Sequence, residues 1–175
     1  LKRYFITSSF FENRKKFILL DRDGVLNIKP RKGTYVNDLK KWKWKPDSLK
    51  AIKLLGRKKI KIIVISNQAG LSLNKLTLRS INQINENIKK RATSLGGCIE
   101  NILFCPHHWN DKCYCRKPNP GLLYTAQKLH NLDLTNTPFV GDQKTDKEAA
   151  HKANVPYYGI NKKTSLYKLL KKIYI

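Results

Sequence analysis

Short apolar runs alternate with amphipathic stretches along this chain. Phe17-Ile18-Leu19-Leu20 is one such run and ends at Asp21. Residues 60–65 form a second, broken by Lys61 and ending at Ser66. Runs of this length, bounded by polar residues, fit buried strands. Residues 99–104 read as a third strand ending at Cys105, 137–140 as a fourth ending at Gly141-Asp142, and 155–160 as a fifth. Between the runs the apolar spacing becomes helical. Leu49, Ile52, Leu54 and Leu55 line a helix that Pro46-Asp47-Ser48 opens and Gly56 closes. Ile81, Ile84 and Ile88 lie on one face of a longer helix over 76–95, stopped by Gly96-Gly97. Further helices are expected over 121–132, 144–153 and 165–173.

Strands that alternate with helices imply an α/β fold, a doubly wound and mostly parallel sheet. Residues 17–175 read as a single domain, with no repeat or linker. Residues 1–16, polar and basic with scattered aromatics, read as an N-terminal extension. Ligands of such sheets sit outside the carboxyl ends of the strands. Asp21, Ser66, Cys105 and Asp142 each follow the end of an expected strand, so four polar positions converge on one edge.

Composition narrows the class. With 41% hydrophobic and 27% charged residues, the 175-residue chain has the balance of a globular domain with a real core. No apolar stretch approaches the ~20 residues of a membrane span, so no membrane partner is expected. The opening segment lacks a secretory apolar region. The formal charge is +24. Its 28 lysines outnumber 8 arginines and are spread along the chain, without an arginine stripe interleaved with aromatics. That distribution points to a general preference for anionic ligands, phosphates included, and argues against specific nucleic-acid binding.

Four segments carry candidate chemistry. In Leu19-Leu20-Asp21-Arg22-Asp23-Gly24 two carboxylates two residues apart leave a strand on the same side. One can attack phosphorus while the other handles protons, and Gly24 permits a sharp turn. A calcium loop is excluded, because its twelfth position from Asp21 is Lys32. Ser66-Asn67 offers a hydroxyl and an amide to a phosphoryl oxygen. Arg116-Lys117 sets two cations before a helix, where a cation can neutralise a phosphoryl group during transfer. Gly141-Asp142 followed by Asp146 supplies carboxylates for a magnesium ion, which favours one or two of them plus waters and substrate phosphate. The chain has only 12 acidic residues, and Asp21, Asp23, Asp142 and Asp146 fall in two of these segments.

A fifth segment, Cys105-Pro106-His107-His108-Trp109-Asn110-Asp111-Lys112-Cys113-Tyr114-Cys115, is dense in soft ligands. Without a secretory signal, clustered thiols favour metal over disulfides, and a cytoplasmic setting follows. Cys105, His107, Cys113 and Cys115 make a closed set of three thiols and one imidazole for a structural Zn²⁺. His108 is the spare, since Cys-x-His leaves both side chains on one side. Cys98 lies outside the set and reads as an inert buried thiol.

Taken in order, these blocks resemble the haloacid dehalogenase superfamily over residues 17–160. The combination Cys-Pro-His-His…Cys-x-Cys-Arg-Lys-Pro-x-Pro-Gly is similar to its capless, zinc-bearing branch, which holds the heptose 1,7-bisphosphate phosphatases and the histidinol-phosphate phosphatase domain. The resemblance implies that Asp21 is a nucleophile that becomes phosphorylated. It makes Asp23 the general acid and then the general base. It assigns Ser66 and Lys117 to the phosphoryl group, and Asp21, the Asp23 carbonyl and Asp142 to Mg²⁺, with Asp146 as outer support. Gly33-Thr34-Tyr35-Val36 and the paired histidines are closer to the heptose enzymes; Thr145-Asp146 is closer to the histidinol-phosphate domain. Two departures bear on substrate: Gly70-Leu71-Ser72-Leu73-Asn74 lacks the arginine of the usual Gly-Ile-x-Arg-Gly, and Gln143 replaces a lysine after Asp142. The expectation is a monomeric Mg²⁺-dependent phosphatase for a small phosphorylated sugar, with removal of the C7 phosphate of D-glycero-D-manno-heptose 1,7-bisphosphate as first choice. Histidinol phosphate is the alternative substrate. A zinc-stabilised basic nucleic-acid-binding protein is the alternative from another class.

Overall fold

A computed structural model describes residues 16–31 and 33–175; the expected N-terminal extension lies almost wholly outside the described residues. Five strands, β1 (Phe17–Leu20), β2 (Lys61–Asn67), β3 (Cys98–Cys105), β4 (Phe139–Gly141) and β5 (Tyr157–Gly159), form one sheet in the order β3-β2-β1-β4-β5. Every pairing is parallel. The helices are α1 (Ser48–Arg57), α2 (Leu78–Ser94), α3 (Gly121–His130), α4 (Lys144–Lys152) and α5 (Leu166–Tyr174). The α/β doubly wound expectation is met.

Side-chain alternation along the strands explains the three layers. Ile18, Leu20, Ile62, Val64 and Val140 point to one face, where Ile52 and Leu55 of α1, Ile84 and Ile88 of α2, and Leu169 and Leu170 of α5 bury them. Leu19, Ile63, Ile65 and Phe139 point to the other, under Leu122 and Leu123 of α3 and Ala149 and Ala150 of α4. Both faces of the sheet are thus dry, which is why the strands read as unbroken apolar runs. Helix ends follow local chemistry: Thr77 and Ser80 form a reciprocal capping box at the start of α2, and Asn131 closes α3 in the left-handed region.

β2 and β3 run further than their apolar runs suggested. Ser66, Asn67 and Cys105 are themselves ladder residues, with Ser66 opposite Phe104 and Asn67 opposite Cys105. Cys98 corrects the expectation of a buried thiol: it is exposed, because it begins the edge strand β3. Two short 3₁₀ turns, Leu39–Lys41 and Leu134–Asn136, were not legible in the pattern.

Candidate active site

The sheet register builds the site. Leu20 pairs with Val64 on one side and Val140 on the other, so the chain just beyond β1 emerges between the ends of β2 and β4. The Asp21 N–H donates to the Val140 carbonyl at 2.9 Å, which fixes the backbone of the first carboxylate. Gly24 then turns the chain at φ +99°, and the Asp142 carboxylate packs against it so closely that a Cβ there would meet Asp142 Oδ2 at 2.4 Å. Asp21, Asp142 and Asp146 bring carboxylate oxygens within 4.8 Å of one another.

Lys117 reaches into this cluster from the segment before α3 and is itself buried. Its Nζ donates to Asp21 Oδ1 at 2.6 Å and to the Ile65 carbonyl at 2.9 Å. Asp146 Oδ1 lies 2.7 Å from the same Nζ, an ion-pair contact off the hydrogen-bond direction. Asp146 Oδ2 accepts the N–H groups of Asp142 and Gln143 at 3.2 and 3.0 Å, which ties α4 to the end of β4. Burial pushes the Asp21 carboxyl up to about 7 even though Lys117 pulls it down, and Asp146 adds to the rise. Burial alone would lower Lys117, but the charges of Asp21 and Asp146 more than reverse it and hold the ammonium above its ordinary value.

Asp23 is fixed separately. Its carboxylate accepts from Arg22 Nη2 at 2.9 and 3.2 Å, from Asn27 Nδ2 at 2.8 Å and from Gln68 Nε2 at 3.3 Å. Arg22 is almost fully buried with its guanidinium 5.9 Å from the Trp42 ring. Gln68 also donates to Ser66 Oγ at 2.7 Å. Sequence reasoning missed Arg22, Asn27 and Gln68; a buried arginine has no distinctive signal in a chain with 36 cationic residues.

Asn67 was expected to touch phosphate. Its side chain instead donates from Nδ2 to the Lys117 carbonyl at 3.0 Å and accepts the Lys117 N–H on Oδ1 at 3.1 Å. Both polar atoms of its amide are thus engaged by the Lys117 backbone. Asp21, Asp23, Ser66, Asn67, Arg116 and Lys117 nevertheless line one cavity of about 410 Å³, together with Trp109, Lys112, Gln143 and Thr145.

Two groups of residues could hold metal. Asp21 Oδ2 and Asp142 Oδ1 are buried oxygens without a hydrogen-bond partner, and the Gly24 cradle seats one of them. Orphaned buried carboxylate oxygens are costly unless a cation meets them, so the donor set fits a hard ion such as magnesium. The second group is Cys105, His107, Cys113 and Cys115. The three sulfur–sulfur separations are 3.2, 3.5 and 3.6 Å, and His107 Nδ1 lies 3.1 and 3.5 Å from two of the sulfurs. These are too long for disulfides, whose sulfurs are ~2.05 Å apart. They approach the ~3.8 Å edge of a tetrahedron with ~2.3 Å metal–sulfur bonds. His108 stands apart, its ring tilted at 35° against Trp109 and accepting the Asn110 N–H on Nδ1.

The comparisons with known proteins fall on this geometry. A family model described as polynucleotide kinase 3 phosphatase matches residues 16–164. The chain belongs to this phosphatase family. A D-glycero-beta-D-manno-heptose-1,7-bisphosphate 7-phosphatase of Bordetella bronchiseptica is 34% identical over 79% of this chain and 76% of its own. A histidine biosynthesis bifunctional protein of Blochmanniella floridana is 32% identical over 83% of this chain but only 40% of its own. Among solved structures, the D,D-heptose 1,7-bisphosphate phosphatase of B. bronchiseptica complexed with magnesium and phosphate superposes with a TM-score of 0.81 at 28% identity, covering 90% of this chain and 97% of that one. The phosphatase is therefore an enzyme of the haloacid dehalogenase type, as its motifs implied. Among its described residues no helix is long and apolar enough to cross a membrane.

Proposed function

We propose that this phosphatase is Mg²⁺-dependent, carries a structural Zn²⁺ on Cys105, His107, Cys113 and Cys115, and removes the C7 phosphate of D-glycero-D-manno-heptose 1,7-bisphosphate. The observation that carries the reading is the pair of orphaned buried oxygens, Asp21 Oδ2 and Asp142 Oδ1, beside the Lys117 ammonium at the floor of an open cavity. Asp21 faces the cavity as a nucleophile would, and the orphaned Oδ1 of Asp142 is open to a metal ion.

The residues then divide the chemistry among them. Lys117 orients the Asp21 carboxylate through Oδ1, and that carboxylate attacks phosphorus as the bond to the leaving oxygen breaks. Asp23 acts as general acid toward that oxygen and later as general base toward the water that cleaves the aspartyl-phosphate. Ser66 and Lys117 stabilise charge on the phosphoryl oxygens. Mg²⁺, held by Asp21, Asp142 and the Asp23 carbonyl, would neutralise charge on the phosphate and on the attacking carboxylate. Arg22, Asn27 and Gln68 keep Asp23 in one orientation.

The heptose choice rests on relatives that match most of this chain and most of their own length. Histidinol phosphate is the second reading, supported by the bifunctional relative. The test is phosphate release from both anomers of the heptose bisphosphate, from histidinol phosphate and from a 3′-phosphorylated oligonucleotide, with Mg²⁺ and with EDTA. Fast Mg²⁺-dependent release from one heptose anomer supports the first choice. Release from histidinol phosphate alone replaces it, and release from the oligonucleotide alone moves the substrate to nucleic acid.

A further inference from the structure

A second cavity, of about 560 Å³, lies in the segment between the first motif and α1. Five cationic side chains line it: Lys29, Arg31, Lys40, Lys41 and Lys43. Its other walls are Ile28, Pro30, Thr34, Tyr35 and Val36, so no carboxylate of the described residues lines it. Among the described residues none of Arg31, Lys40 and Lys43 forms an ion pair. Lys41 is turned to the neutral Asn37 side chain at 2.8 Å. Asp38, the acid nearest in sequence, spends its carboxylate on the Lys40 N–H and lines a different groove.

Lys29 links this cavity to the catalytic one. It lines the cavity wall, yet its ammonium donates to Asp142 Oδ2 at 3.1 Å. The remaining cations have no such outlet, and their mutual repulsion makes a concave, positively charged space that an anion would relieve. Thr34 Oγ1 donates to the Arg31 carbonyl at 2.7 Å and shapes the turn.

We propose that this cavity binds a phosphate-class anion, held by Lys40, Lys43 and Arg31, with Lys29 shared between it and Asp142. The anion has two possible sources: a second phosphate on the substrate itself, or a separate phosphorylated molecule or inorganic phosphate. In either case an anion competes with Asp142 for Lys29, so its arrival opens Asp142 to a metal ion.

The test uses the whole chain carrying Lys40→Gln and Lys43→Gln together. Both lysines are exposed, so the fold is expected to survive. Inorganic phosphate binding is followed by calorimetry without divalent ions, with chloride holding the ionic strength constant. Wild type should show two binding events, one of which weakens by about tenfold or more in the variant. Turnover of a simple aryl phosphate monoester should stay within about twofold, since neither lysine touches the catalytic carboxylates. If KM for a sugar bisphosphate rises in the variant while that for a monophosphate does not, the anion is the substrate's own second phosphate. If instead added phosphate or sulfate shifts monoester turnover in wild type only, it is a separate ligand. Unchanged phosphate binding in the variant overturns the site.

Discussion

The Lys117 ammonium is shared between Asp21 Oδ1, 2.6 Å away, and Asp146 Oδ1, 2.7 Å away, and all three side chains are nearly shut off from water. One cation thus serves two buried carboxylates. Removing it strands both, and breaking a buried ion pair typically costs ~3–5 kcal/mol. Lys117→Met is expected to lower stability by about that amount, read from urea midpoints, and to abolish turnover. A variant as stable as wild type would show that the lysine does not neutralise the pair.

Asp21 should couple stability to pH. Burial raises its folded-state value from the ordinary 3.8 to about 7. Between these limits the folded chain keeps a proton that the unfolded chain has lost. Stability therefore falls as pH rises from about 4 to about 7 and then levels. Asp21→Asn removes the group. Without divalent ions the variant should gain on wild type as pH climbs through this window, and saturating Mg²⁺ should shrink the gap. A stability difference that is flat from pH 4 to pH 8, by the urea midpoints, would sink the assignment. The same variant should lose turnover by a factor of ~10³ or more, because an amide cannot attack phosphorus.

The thiol cluster should exchange protons for metal. Burial pushes Cys105 up to about 12 and raises Cys115 as well. Burial alone would raise Cys113 too, but the Arg116 N–H and the two other thiols hold it below its ordinary value. Thiols must deprotonate to bind zinc, so uptake should release protons and tighten as pH rises. Purified wild type should carry one zinc per chain by elemental analysis. Cys113→Ser should lose it, melt at lower temperature and turn over more slowly, since the same segment carries Arg116 and Lys117. Zinc-free wild-type protein would remove the tetrahedral assignment.

Gly24 is expected to tolerate no side chain. Its φ of +99° disfavours any other residue, and a Cβ would overlap the Asp142 carboxylate. Gly24→Ala should therefore weaken Mg²⁺ binding by about tenfold or more while leaving the zinc content unchanged. Calorimetric titration with Mg²⁺ reads the first and elemental analysis the second. Wild-type Mg²⁺ affinity in this variant would mean that Asp142 is not seated by Gly24.

The sheet and its five helices were legible because both faces are buried, so apolar runs marked strands and period-3.6 faces marked helices. Strand ends were less legible: Ser66 and Asn67 look like a polar turn, and only their pairing with Phe104 and Cys105 makes them ladder residues. The carboxylates and thiols stood out because acids and cysteines are scarce in this chain. The side chains that orient them did not. Arg22, Asn27 and Gln68 find Asp23 only once the chain has folded, and Asn67 turns to the Lys117 backbone fifty positions away. No local spacing encodes such partners. The three-residue turns at 39–41 and 134–136 are too short to show a period.

The central place of β1 sets how the molecule opens. This strand is flanked on both sides, and the Asp21 amide hydrogen is held on Val140, so it should exchange with solvent only when the whole domain unfolds. The thiol-bearing segment leaves the sheet beyond the edge strand β3, and its Lys117 returns to the centre, clamped by Asn67 and bonded to Asp21 and the Ile65 carbonyl. The nucleophile is thus anchored in the slowest-exchanging part of the molecule, and the wall facing it is tied through Lys117 to the same unit.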